Sequence, residues 1–200
     1  MPLRAATAKS ISNLLIQKKT INTGLTAWIR MFNKTDCTEE TICKKHKIPQ
    51  ISNNLMQTTY KLWQNGHMTG NKIRHFLDGS ATCRVCNGEI ETPLHTFWYC
   101  KPTQEVYRKI QKILDENNIQ WRISKEEAIL GVITSPGNQV TEKNLLLVIL
   151  RHNIWKNRNR ATFEGSPTPD TARVTWLTFH RMVPRASFLL TAPGRMDSHV

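Results

Sequence analysis

The chain lacks the features of membrane-spanning, disulfide-stapled and most catalytic proteins. Its longest apolar run, residues 145–150, is six residues long. A helix crossing a bilayer needs about 20, so no membrane partner is expected. No charged start followed by an apolar stretch and a small-residue cleavage site marks a secretory leader. Five cysteines are too few and odd in number for a disulfide framework, which points to a reducing intracellular setting, nuclear or cytoplasmic. Acids are scarce, 15 Asp and Glu against 28 Lys and Arg. A polymerase or nuclease holds its two metal ions with clustered carboxylates, and the closest cluster here, Glu126-Glu127, reads as a solvated helix start. There is also no glycine-rich phosphate loop and no G-x-S-x-G elbow. No enzyme is expected.

What is abundant is positive charge, +13 over 200 residues, unevenly placed. Residues 1–82 carry 12 Lys/Arg against 4 Asp/Glu, residues 83–150 carry 8 of each, and residues 151–200 carry 8 against 3. Two basic flanks bracket a neutral middle, a balance that favours polyanions such as RNA or DNA. The first acid is Asp36. An acid-free start bearing Ser and Thr also suits a mitochondrial transit peptide, but Arg4 is the only early arginine and argues against it.

Apolar spacing reads as helix throughout, with little period-two alternation, so the class is mainly α. Helices are expected over residues 10–19, 25–32, from Thr38 onward, and from the Ser52 cap to Gln64 with Leu55, Met56, Thr59, Leu62 and Trp63 buried. Another should start at Thr69, carry Ile73, Phe76 and Leu77, and stop at Asp78-Gly79. Residues 103–117 form the clearest amphipathic helix, with Val106, Tyr107, Ile110, Ile113 and Leu114 on one face. After a turn at residues 135–138, residues 143–163 form a long helix with an apolar first half and a basic second half. The basic half is expected to lie outside the core, because Arg and Lys are rarely buried without partners. A linker at residues 165–169 and a last helix over residues 170–182 follow.

Chemistry concentrates in residues 83–100. Cys83 and Cys86 form a C-x2-C knuckle, His95 follows after eight residues and Cys100 after four more. Three thiolates and an imidazole satisfy the tetrahedral preference of Zn2+, and four protein ligands close the site, which makes the zinc structural. Asn87-Gly88 lets the chain reverse, and Thr92-Pro93 can start a helix. Five residues on an α-helix turn about 500°, leaving His95 and Cys100 about 140° apart, so the helix must end or bend before Cys100, with Pro102 as a reason to end. Cys37, Cys43 and His46 lack a fourth ligand nearby, and buried helix cysteines explain them better than a second metal site.

Three stretches resemble the zinc-binding region that follows the polymerase domain in reverse transcriptases of non-LTR (LINE-type) retrotransposons. They are Thr59-Tyr60-Lys61-Leu62-Trp63-Gln64-Asn65-Gly66 with Lys72-Ile73-Arg74-His75-Phe76; the knuckle with Glu91-Thr92 before His95 and Phe97-Trp98 before Cys100; and Ile154-Trp155-Lys156-Asn157-Arg158-Asn159-Arg160. The resemblance covers about residues 51–165. It implies that Cys83, Cys86, His95 and Cys100 bind zinc, and that the basic helices around them hold template RNA or target DNA during target-primed reverse transcription. The polymerase core with its paired aspartates and any endonuclease are missing from this sequence, so it reads as a terminal fragment or a separated reading frame.

The expectation is a small helical domain organised around a Cys3His zinc knuckle (residues 51–165), with a basic helical extension before it (1–50) and a Pro-containing tail after it (166–200). Its expected role is nucleic-acid binding without catalysis, with a retroelement polymerase as a further partner. The candidate contacts are Lys61, Trp63, Lys72, Arg74, Arg84, Arg151, Trp155, Lys156, Arg158 and Arg160, where aromatic rings beside cations suit bases and phosphates. Two other readings stay open: a zinc-stabilised scaffold for protein docking, favoured by an unpartnered apolar face on residues 103–117 or 143–150, and a decayed reading frame.

Overall fold

The structure, a computed structural model, describes residues 23–49, 51–75, 80–135, 139–166 and 169–183. The expected helix over residues 10–19, the segment 76–79 and the centre of the turn at 135–138 lie outside the described residues. The described residues are mainly helical and contain no strand. The elements are α1 (Thr23–Met31), α2 (Glu39–Lys45), α3 (Asn53–Trp63), α4 (Gly70–Ile73), a π-turn (His95–Tyr99), α5 (Lys101–Glu116), α6 (Lys125–Leu130), α7 (Val140–Phe163) and α8 (Thr171–Met182).

Local chemistry sets the ends of these helices. Thr38 caps α2 by accepting from the Thr41 N–H at 3.2 Å, and Asp170 caps α8 by accepting from the Arg173 N–H at 3.3 Å. Ser124 and Glu127 form a reciprocal capping box that starts α6, and Glu127 also accepts from Trp121 Nε1. Asparagine ends three helices. Asn33, Asn65 and Asn118 have φ of 52°, 50° and 56°. Each is followed by an N–H that reaches back into the last turn, as from Gly66 to the Lys61 carbonyl and from Ile119 to the Leu114 carbonyl. Asparagine tolerates this left-handed conformation better than other non-glycine residues.

α7 is the axis of the core. Every residue from 143 to 151 is buried, because α8, α3, α2, α6 and the π-turn all pack against it. Leu145, Leu146, Leu147, Val148, Ile149 and Leu150 thus meet protein on all sides. Burying each such side chain contributes about 1.5–3 kcal/mol. Tyr107, Ile110 and Leu114 of α5 and Ala172 and Phe179 of α8 complete this cluster. A second cluster joins Leu25, Ile29, Cys37 and Ile42 to Trp63 and Leu130. Trp63 donates from Nε1 to the Ile129 carbonyl at 2.9 Å and Trp28 from Nε1 to the Leu62 carbonyl at 3.1 Å. Gly24 permits this approach of α1 to α3, since a Cβ there would stand 2.2 Å from the Trp63 carbonyl oxygen.

The basic half of α7 departs from expectation. Arg151 is wholly buried and Arg158 is 5% exposed. Each is satisfied by partners that the sequence does not bring near. Arg151 donates to the Ala128 carbonyl at 2.8 Å and the Glu127 carbonyl at 2.9 Å, placing its charge on the negative end of α6. Arg158 pairs with Glu91. Cys43, expected inside, is exposed, while Cys37 is buried.

Candidate metal centre

The knuckle is a short reversal pinned to itself. Cys83 N–H donates to the Glu89 carbonyl, Glu91 N–H to the Ala81 carbonyl and Asn87 N–H to the Cys83 carbonyl, each at 2.8 Å. Thr82 and Ile90 form an isolated antiparallel bridge across it. The left-handed residue at the tip is Asn87, with φ of 52°, while Gly88 has no positive φ. This loop brings the Cys83 and Cys86 thiols toward the segment that carries the other two ligands.

That segment solves the spacing problem by widening the helix. Residues 95–99 form a π-turn, closed by the Cys100 N–H donating to the His95 carbonyl at 2.7 Å. At about 4.4 residues per turn, the offset across five residues falls from about 140° to roughly 50°. Cys100 then leaves the turn in an extended conformation, with φ of −60° and ψ of 127°. Pro102 does not end a helix. It occupies the first turn of α5, where its missing N–H costs nothing, and α5 therefore begins at Lys101 rather than Thr103.

The ligand atoms of Cys83, Cys86, His95 and Cys100 all lie within 4.8 Å of one another, close enough to hold a metal ion. Cys83 Sγ and Cys100 Sγ are 3.9 Å apart, and Cys86 Sγ and His95 Nε2 are 3.4 Å apart. A tetrahedral centre with bonds of about 2.3 Å to sulfur and 2.0 Å to nitrogen has edges of roughly 3.8 and 3.5 Å. The sulfurs are far beyond the ~2.05 Å of a disulfide. His95 is oriented from behind: its Nδ1 faces Glu89 Oε2 at 3.2 Å, which leaves Nε2 for the centre. Cys83, His95 and Cys100 are buried and Cys86 is half-buried.

The donor set suits a cation. The Cys100 thiol beside Cys83 lowers the Cys83 pKa. Pairing with Cys83, burial and the neighbouring Cys86 push Cys100 up. Three adjacent thiolates are unfavourable together unless a positive ion stands among them. Among the described residues this is the one group of three or more His, Cys, Asp or Glu side chains so placed. His46 lies elsewhere, its Nδ1 on the Ile42 carbonyl at 2.9 Å and its ring edge-on to Trp63.

Glu91 ties this centre to the rest of the fold. It sits between the two ligand pairs and is 1% exposed. Its carboxylate accepts from Arg158 Nε at 2.7 Å, from Arg158 Nη2 at 2.5 Å and from the Gly70 N–H at 2.5 Å. Sequence reading placed Glu91 only as a neighbour of Thr92. An acid inside a metal loop and an arginine on an apolar-to-basic helix are the signal that was available.

The ten expected nucleic-acid residues divide. Lys61, Arg74, Arg84 and Lys156 are exposed and Lys72 is half-buried, and none of the five has an ion-pair partner among the described residues. Arg160 faces Glu164 at 3.6 Å. Trp63, Arg151 and Arg158 are interior. Trp155 is half-buried against His67, with ring centres 4.1 Å apart, and under the Arg158 guanidinium at 4.9 Å. Trp63, Arg151 and Arg158 thus pack in the interior, and Trp155 packs partly against it.

Thr58 joins two histidines, its carbonyl accepting from His67 Nε2 at 2.9 Å and its hydroxyl meeting His152 Nδ1 at 3.3 Å. Burial, then the nearby Lys61, Lys72 and Arg158 charges, hold His67 down to about 4 against its bond to Thr58. Burial and Lys156 lower His152. Lys61 and Lys72 thus act on His67, and Lys156 on His152, the two histidines that Thr58 joins. Among the described residues, no helix is long and apolar enough to cross a membrane. No protein family, curated protein or solved structure matches the chain.

Proposed function

We propose that the chain is a zinc-knuckle module that binds single-stranded RNA or DNA through its basic face and performs no catalysis of its own. Zinc is the metal favoured by the donor set, since three thiolates and an imidazole in a closed tetrahedron suit a redox-inert d10 ion. The ion would be held by Cys83, Cys86, His95 and Cys100 and would supply structure.

The observation that carries the binding reading is the excess of positive charge: most Lys and Arg among the described residues have no carboxylate partner. Lys44, Arg108, Lys109, Lys112, Arg122 and Arg160 each have a carboxylate partner. Lys61, Lys72 and Lys156 have none among the described residues. Unneutralised ammonium groups suit phosphates. The scaffold alternative draws no support from the two helices named for it. The apolar faces of α5 and of residues 143–150 that it would leave open are covered by the chain's own core. The resemblance to LINE-type reverse transcriptases makes template RNA or target DNA the proposed ligand and a retroelement polymerase the proposed protein partner.

The test is anisotropy of labelled single-stranded RNA at rising salt. Neutralising roughly four to six phosphates gives a log–log slope near −3 to −4. Lys61→Glu, Lys72→Glu and Lys156→Glu together weaken binding at least about tenfold with an unchanged melting temperature, because none supports the core. A flat salt response, or an unaffected triple variant, contradicts the reading.

A further inference from the structure

A cavity of about 320 Å3 opens beside the metal centre, walled by the knuckle, α5, α7 and the start of α8. That is the small end of the range for ligand pockets, about 300–1,000 Å3. Val85, Val106, Ile154 and Pro102 give it apolar walls. Two polar groups stand among them. Thr96 is 3% exposed and its hydroxyl has no partner. Asn157 donates from Nδ2 to the Thr171 hydroxyl, and its Oδ1 has no donor among the described residues.

The acids that line the cavity are neutralised by neighbouring cations, and two further cations adjoin its lining along the chain. Three acids line it, Glu91, Glu105 and Asp170. Each is answered by a cation: Arg158, Arg108 and Lys109. Two more cations are left over. Arg84 lies between the lining residues Cys83 and Val85, and Lys101 between Cys100 and Pro102. Both are exposed and have no ion-pair partner among the described residues. A ligand with an apolar planar body, a hydrogen-bonding edge and a phosphate matches all three features.

We infer that this cavity takes one unstacked base of a single-stranded nucleic acid. The base faces lie against Val106, Ile154 and Pro102, the edge meets Asn157 and Thr96, and the phosphate lies toward Arg84 and Lys101. Extruded bases are held in this way, by apolar contact on their faces and hydrogen bonds on their edges. The inference rests on the nucleic-acid reading above and narrows it, because it places one nucleotide in a cavity that none of Lys61, Lys72 and Lys156 lines.

The experiment is methyl and amide NMR of the zinc-loaded full chain, titrated with adenosine and uridine monophosphates, with ribose 5-phosphate, and with a short single-stranded RNA. Either mononucleotide should shift the Val106 and Ile154 methyls and the Asn157 side-chain amide, and ribose 5-phosphate should leave those methyls unmoved. Val106→Trp, which fills the cavity, should abolish the methyl shifts. If that variant loses its folded spectrum, Arg84→Glu with Lys101→Glu tests the same site with the cavity open, and should weaken mononucleotide binding at least about tenfold. Salt-dependent RNA binding with silent Val106 and Ile154 methyls overturns the base pocket and leaves the nucleic-acid reading standing. Loss of salt-dependent RNA binding altogether overturns both. Methyl shifts from benzene but from no nucleotide would assign the cavity to an apolar side chain of a protein partner and overturn the inference.

Discussion

The carboxylate of Glu91 and the guanidinium of Arg158 form a bidentate pair, at 2.7 and 2.5 Å, between side chains that are only 2% and 5% exposed. One partner lies inside the metal loop and the other near the end of the longest helix. The pair therefore carries the orientation of the knuckle into α7, and the Gly70 N–H extends it to α4.

Removing one partner leaves a buried charge without its counterpart. Arg158→Ala or Glu91→Ala should cost about 3–5 kcal/mol in urea unfolding of the zinc-loaded protein. Replacing both with apolar residues, Glu91→Met and Arg158→Leu, should recover a large part of that loss. Arg158 acting as an exposed phosphate contact predicts unchanged stability instead.

Two buried histidines should make the fold sensitive to acid. Burial and the Arg151 charge hold His46 down to about 3, and burial with nearby cations holds His67 down to about 4. Both are neutral in the folded state, while an unfolded histidine titrates near 6.5. Between these values the unfolded chain binds the extra protons. The stability present above pH 6.5 is thus lost progressively as pH falls toward 4. Imidazole NMR at pH 5.5 should show both rings neutral, with the proton on Nδ1 of His46 and on Nε2 of His67, facing their carbonyl partners. A charged ring at that pH contradicts this.

Gly131 occupies φ of 91° and ψ of 174°, a conformation confined essentially to glycine. A Cβ there would stand 2.2 Å from His46 Cε1 and 2.7 Å from Asn144 Oδ1. Asn144 in turn bonds the Val132 N–H and carbonyl and the Lys45 carbonyl. Gly131→Ala should therefore cost about 1–3 kcal/mol in backbone strain and more in displaced side chains, read as a lower melting temperature. An unchanged melting temperature contradicts the packing described.

The helices were legible because their signals are local. Apolar spacing and the Thr38 cap place α2, α3, α5, α7 and α8 to within a few residues. The four metal-site residues were legible because C-x2-C and H-x4-C spacing is itself the chemistry. Glu126-Glu127 was read as a solvated start, whereas Ser124 and Glu127 three residues apart already spell the capping box of α6. The π-turn was beyond reach. Spacing shows that a straight α-helix fails between His95 and Cys100, but not whether the chain stops or widens. Arg151 and Arg158 were misplaced for a different reason. Their partners, the end of α6 and Glu91, lie 23 or more residues away, and composition alone gives such a charge to solvent.

The metal centre is tested most directly by zinc-edge X-ray absorption on the purified chain, alongside metal analysis. The account predicts one zinc per chain, with three sulfur neighbours at about 2.3 Å and one nitrogen near 2.0 Å. It also predicts that Cys86→Ala removes the zinc and loosens the fold around the knuckle, because a structural zinc contributes on the order of 10–16 kcal/mol. A folded wild-type protein containing no zinc, or a zinc spectrum that keeps its three sulfurs in Cys86→Ala, would contradict it.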